Sequence, residues 1–311
     1  MSRSVFSLFF VLLLGFAVSA YAEDLYVVDV RTDSITTIDT ADHPDPASKR
    51  HLAGTKTLLT SADVFGLCVY NNELFATNDH GHHALLVFDV TATGNVDPKR
   101  KITSLTYPHG VAVSGDEVFV GDTIGGKGQI KVFNIDDSGD VGPKRTISCD
   151  FGDVSLGEVW TLAISGSELF VSDGTKICIF DKTASLNVRP KRVIEHKTTA
   201  FTGAYGLAVE GDVVYVSDSR NRIMTFPIST NGAIDPTATI SGGSTGLNSP
   251  YGLAVKNGYI YASQYGSGKI NAYKTTDNLD VEPQWTYTSG DFSSPFSLAM
   301  ESGGYVRPSD H

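Results

Sequence analysis

Apolar residues recur along this chain in short bursts, and turns rich in Gly, Asn and Asp separate them. Within most bursts apolar positions alternate with small or polar ones. That period of two, with such punctuation, predicts strands and hairpins, and no sustained helical period follows residue 22. The bursts themselves repeat. YGLAVEGDVVYVSDSRNRIMTF begins at Tyr205 and YGLAVKNGYIYASQYGSGKINAY at Tyr251. HGVAVSGDEVFVGD begins at His109, FGLCVYNNELFATND at Phe65, WTLAISGSELFVSD at Trp160, and a truncated FSLAMESGG at Phe296. The second residues of the copies (Gly66, Gly110, Thr161, Gly206, Gly252 and Ser297) stand 44, 51, 45, 46 and 45 residues apart. Four short strands with their turns need about this length.

Five copies hold a full set of strands, whereas the last offers only its first. The start of the chain supplies the remainder: LYVVD at 25–29 matches a second strand, SITTID at 34–39 a third, and KRHL at 49–52 a fourth. The predicted fold is all-β, a six-bladed β-propeller of four-stranded antiparallel blades over residues 23–302. One inner strand from the C-terminus and three N-terminal strands close the sixth blade, and a tail follows at 303–311. Closure of this kind ties down both chain ends and removes an open edge.

Residues 1–22 stand outside this pattern. Arg3, an apolar run over residues 5–18 and the triplet Ala20-Tyr21-Ala22 follow the grammar of a cleaved secretory leader. The cut is expected after Ala22, which makes the protein secreted or periplasmic, and no later stretch is apolar enough to span a membrane. The chain carries 24 Lys and Arg against 35 Asp and Glu, a net charge of −11. The leader holds one Arg and no acid, so its loss makes the charge −12. Such a balance gives no reason to seek nucleic acid or an anionic membrane. Of three cysteines, Cys149 and Cys178 are the pair best placed to bridge; equally, all three fit as small buried side chains.

The copies from Tyr205 and Pro250 resemble the NHL repeat, in which an x-G-[LV]-A-V strand precedes Y-V-[SA]-D and then x-N-R-I-x-x-F. Asp218, Asn221, Arg222, Ile223 and Phe226 fit closely, and the resemblance spans essentially the whole chain after residue 22. It implies the fold and leaves activity open, because NHL-type propellers include lactonases, amidating lyases, strictosidine-synthase-like enzymes and binding scaffolds. The runs Val96-Asp97-Pro98-Lys99-Arg100, Val141-Gly142-Pro143-Lys144-Arg145 and Val188-Arg189-Pro190-Lys191-Arg192 precede the outermost strands. They read either as a basic rim or as protection of an outer edge.

Symmetry places Phe65, His109, Trp160, Tyr205, Tyr251 and Phe296 in a ring at one mouth of the channel. The loops at 29–32, 78–83, 122–127, 173–175, 218–221 and 264–267 are expected on the same face. An aromatic mouth suits a protein, small-molecule or glycan ligand, and the same residues also fit as packing between blades. The run Asp79-His80-Gly81-His82-His83 breaks the repeat. The imidazoles of this loop could hold Zn²⁺ or Cu²⁺, and His80, His82 and His109 form the candidate set for a divalent metal, Zn²⁺ or Ca²⁺. Amidating-lyase relatives imply His residues at the channel, and His109 stands at such a position; the other five equivalents are aromatic. The alternative is solvated loop histidines. Asp29, Asp79, Asp122, Asp173 and Asp218 are read as recurrent turn caps, because a catalytic ligand should occur once. Glu23 and Asp24 are early acids without a lactonase-type motif, and no nucleophile elbow or phosphate loop is present. The functional expectation is therefore a binding or scaffold module using one channel face. A metal-dependent hydrolase or lyase and a subunit of a surface assembly are the alternatives.

Overall fold

Each repeat folds as one antiparallel sheet that runs outward from a central channel. A computed structural model describes residues 24–40, 48–60 and 64–301. The expected leader at 1–22 and the tail at 303–311 lie outside the described residues. We number the blades along the chain: blade 1 spans 64–102, blade 2 spans 108–148, blade 3 spans 161–196, blade 4 spans 206–240 and blade 5 spans 250–288. Their inner strands are Val64–Tyr70, Pro108–Ser114, Thr161–Ser165, Gly206–Glu210 and Pro250–Lys256. The closing blade joins Pro295–Ala299, as inner strand, to Asp24–Asp29, Ser34–Asp39 and Ser48–Ala53. Tyr26 pairs with Ala299 and Val27 with Leu298, so the predicted closure by one strand and three is present. Among the described residues, no helix is long and apolar enough to cross a membrane.

The core is divided into six slabs, one between each pair of neighbouring blades. Between blades 1 and 2, for example, Phe75, Leu85 and Ile102 meet Val111, Val118 and Phe133. A middle strand therefore has a neighbour on both faces. That is why Glu73–Asn78 and Val213–Asp218 are buried from their second residue onward.

Neighbouring inner strands approach closely at the channel. A Cβ on Gly66 would stand 2.0 Å from the His109 carbonyl oxygen, and one on Gly206 would stand 2.2 Å from that of Tyr251. A hydroxyl on the second strand bridges the gap. The amide of Gly206 donates to Ser217 Oγ at 2.8 Å, and that hydroxyl donates to the Tyr251 carbonyl at 2.7 Å. Thr77 links Gly66 to His109 in this way, and Ser263 links Gly252 to Phe296.

The basic runs do not form a rim. Arg100 grips Glu73 with both terminal nitrogens at 2.8 and 2.7 Å, and its Nη2 also donates to the Ile135 carbonyl of blade 2 at 3.0 Å. Arg145 repeats this with Glu117 and the Lys182 carbonyl, and Arg192 with Glu168 and the Ile228 carbonyl. Lys99, Lys144 and Lys191 add a second cation to each acid. In the closing blade Asp24 and Arg50 take the same register positions, 2.5 Å apart. The runs are thus staples between blades, and bidentate geometry suits Arg to the task. Edges are covered separately: residues 94, 139, 186, 232 and 279 each bridge in parallel to the outer strand of the preceding blade.

Cys68, Cys149 and Cys178 are free thiols, so the Cys149–Cys178 bridge is not formed. Both belong to the apolar slab between blades 2 and 3. Burial pushes the Cys178 thiol up to about 12 and raises Cys149 as well.

Candidate functional site

The inner strands of blades 1, 2 and 5 and of the closing blade each slip register close to their opening aromatic residue. Such a bulge re-aims a side chain, here towards the channel axis. The result is a closed ring. Phe65 lies 4.5 Å from His109, His109 4.9 Å from Trp160, Trp160 4.7 Å from Tyr205, and Tyr205 4.4 Å from Tyr251, all between ring centroids. Tyr251 is 4.6 Å from Phe296, and Phe296 returns to Phe65 at 5.0 Å. Tyr205 and Tyr251 stack face to face; Trp160 meets Tyr205 edge-on. Burial, with Tyr205 and Tyr265 alongside, raises the Tyr251 phenol.

All six predicted ring residues are therefore together. They fill the channel here and leave a void of about 70 Å³ beneath, floored by Leu67, Leu162, Leu207, Leu253 and Leu298. That is room for about two waters, not for a ligand. A ligand at this end would have to lie on the outer side of the ring.

The turns expected on this face are there. Asp29 Oδ2 accepts the amides of Ser293 and Ser294, just before Phe296. Asp122 Oδ1 accepts those of Thr106 and Tyr107, just before His109. Asp218 holds Thr202, Asp173 holds Gly157 and Gln264 holds Asn248 in the same manner. Several of these acids also carry a cation: Lys131 on Asp122 at 2.8 Å, Lys176 on Asp173 at 2.6 Å and Arg222 on Asp218 at 3.0 Å. Recurrence as turn caps holds for these four.

Asp79 is the exception. In blade 1 the recurrent position belongs to Asn78, whose Nδ2 donates to the carbonyls of Leu58 and Thr60 and whose Oδ1 accepts the His82 amide. Asp79, one residue later, turns inward to the ring, and its side chain is 3% exposed. Its Oδ2 stands 3.2 Å from His109 Nε2 and 3.3 Å from His80 Nδ1, and Oδ1 is 4.0 Å from His83 Nδ1. On the far side, His109 Nδ1 faces Glu158 Oε1 at 3.8 Å. The only unpatterned ring member thus sits between two carboxylates. Asp79, expected as a recurrent turn cap, is thus not one: counting from Phe75 and Phe119 aligns Asn78 with Asp122 and leaves Asp79 over, and Glu158 carried no signal in the repeat.

The candidate metal set is only partly assembled. His80 and His109 share Asp79, whereas His82 stays on the exposed turn. Among the described residues no three His, Cys, Asp or Glu side chains gather as a metal-binding group, so the donors present do not fit the three-ligand centre. His80 and His83 pack instead edge-on against Tyr107, at 6.2 and 5.9 Å.

No family model and no curated protein matches the chain. Solved structures do. A chain from the crystal structure of a nidogen/laminin complex superposes with a TM-score of 0.61 at 11% identity, over 89% of this chain and 97% of that one. A functionally unknown protein from Desulfotomaculum acetoxidans DSM 771 superposes with a TM-score of 0.54 at 11% identity, over 81% of this chain and 75% of that one. At such identities the likeness carries the fold alone. The chain is an all-β, six-bladed propeller.

Proposed function

We propose that this is an exported, NHL-type propeller that acts as a non-catalytic binding module, with its ligand seated on the aromatic mouth. The observation that carries the reading is the closed ring of six aromatic side chains at one end of the channel. Channel packing alone is served by the aliphatic layer of Leu67, Leu162, Leu207, Leu253 and Leu298 beneath it. Rings with an apolar face and polar edges suit a surface that meets both water and a ligand. The likeness to a chain solved in a protein complex supports a protein among its partners. The leader-like residues 1–22 support action outside the cytoplasm.

Arrays of glycans and of peptides, probed with the purified protein, test this. Ligands bound by the wild type should be lost by a folded Trp160→Ala, Tyr251→Ala double variant. Retention of every ligand by that variant would remove the mouth as the site.

A further inference from the structure

We infer that the mouth selects a primary ammonium group borne on an apolar body, and that His109 and Glu158 receive its N–H donors. This rests on the mouth being the ligand site. The six-fold pattern fails at one point, where an imidazole replaces a carbocyclic or indole ring. In the neutral tautomer whose Nε2–H donates to Asp79, Nδ1 of His109 carries a lone pair. That nitrogen is buried, in a side chain 4% exposed, and no donor reaches it. Opposite it, 3.8 Å away, stands the Glu158 carboxylate, 45% exposed. Two acceptors facing each other without a donor between them form a receptor for N–H groups. Asp79 Oδ1 behind them is also buried without a donor.

Charge points the same way. Asp122, Asp173 and Asp218 on this face have Lys131, Lys176 and Arg222. Asp79 and Glu158 have no Lys or Arg partner among the described residues, and their basic neighbours are histidines alone. An ammonium supplies the missing charge and up to three donors. Its hydrocarbon body then lies against the rings of Trp160, Tyr205 and Tyr251. A carboxylate ligand meets repulsion at the same place, and an alcohol brings one donor and no charge.

The chain holds two tryptophans, so a Trp285→Phe variant leaves Trp160, beside His109, as the single indole reporter. Its fluorescence is titrated with hexylamine, hexyltrimethylammonium, 1-hexanol and hexanoate. Hexylamine should bind at least about tenfold more tightly than hexanol, a difference of ~1.4 kcal/mol. Glu158→Gln, at an exposed position that does not threaten folding, should abolish that preference. Equal binding of amine and alcohol, or a preference unmoved by Glu158→Gln, overturns the ammonium assignment and leaves the mouth standing. No Trp160 response to any of the four probes overturns both.

Discussion

Asp79 and His109 meet through Oδ2 and Nε2 at 3.2 Å, at the one place where the aromatic ring departs from its repeat. Every other ring position is a carbocyclic or indole ring, and the equivalent second-strand acids turn to backbone amides and cations. A symmetric array binds symmetrically unless one blade differs. In this propeller the neighbouring blades 1 and 2 carry the difference, side by side at the same mouth.

The staples between blades should be worth measurable stability. Arg145→Met leaves the Glu117 carboxylate, 17% exposed, without its bidentate partner, and frees the carbonyl contacts at Lys182 and Ala184. A loss on the order of 1–3 kcal/mol in denaturant unfolding is expected. Adding Glu117→Gln should restore part of it, because blade 4 has Val213 and Ala238 at the same register positions and needs no ion pair. A neutral single variant would contradict the assignment.

These pairs also fix the response to acid. Hydrogen bonds from Arg100, Arg145 and Arg192 hold the carboxyls of Glu73, Glu117 and Glu168 down at about 2, from an ordinary 4.5. A depressed folded value means a contribution present above the unfolded value and lost as pH falls. Unfolding free energy should therefore drop between about pH 4.5 and pH 2. In a Glu73→Gln, Glu117→Gln, Glu168→Gln variant that slope should flatten, with the variant weaker than the wild type at pH 7 and close to it at pH 2. Parallel curves for the two proteins would show that the staples carry no linkage.

Gly66→Ala and Gly206→Ala should each cost about 3 kcal/mol or more, because the new methyl meets a backbone carbonyl that cannot retreat. Gly142→Ala, with open space around its Cβ position, is the matched control and should fall within about 0.5 kcal/mol of wild type. Chemical denaturation of the three variants decides it.

The cysteines give a direct check on packing. Unfolded protein, with no reductant added, should titrate three thiols. In the native state half-buried Cys68 should react first and Cys178 last, since burial holds its thiol far from ionisation at pH 8. A single thiol in the unfolded protein would indicate the Cys149–Cys178 bridge instead.

The blades, the closure and the ring members were legible because a repeat displays each rule several times over. Tyr205 and Tyr251 open near-identical segments, and both land at the mouth. The staples were also present in the sequence, as a correlation between turn and edge. Glu73, Glu117 and Glu168 accompany Lys-Arg pairs, whereas Val213 accompanies Ala238 and Tyr259 accompanies Trp285. That link is invisible until the register sets the first residue of one strand beside the third strand along. Asp79 was hidden for a different reason: an Asn in the recurrent place moved the eye by one residue. Glu158 lies in an irregular approach to blade 3, where no period announces it.

Ligands are expected on the aromatic mouth. At its other end the channel opens into a funnel of about 540 Å³, bordered by Tyr70, Ser114, Glu210, Lys256 and Met300, and volume alone favours that end. Crystals soaked with a fragment library containing aromatic amines, sugars and short peptides would locate the bound molecules directly. Density is expected over Trp160 and Tyr251, reaching towards Glu158. Fragments confined to the funnel, with the ring bare, would contradict that placement.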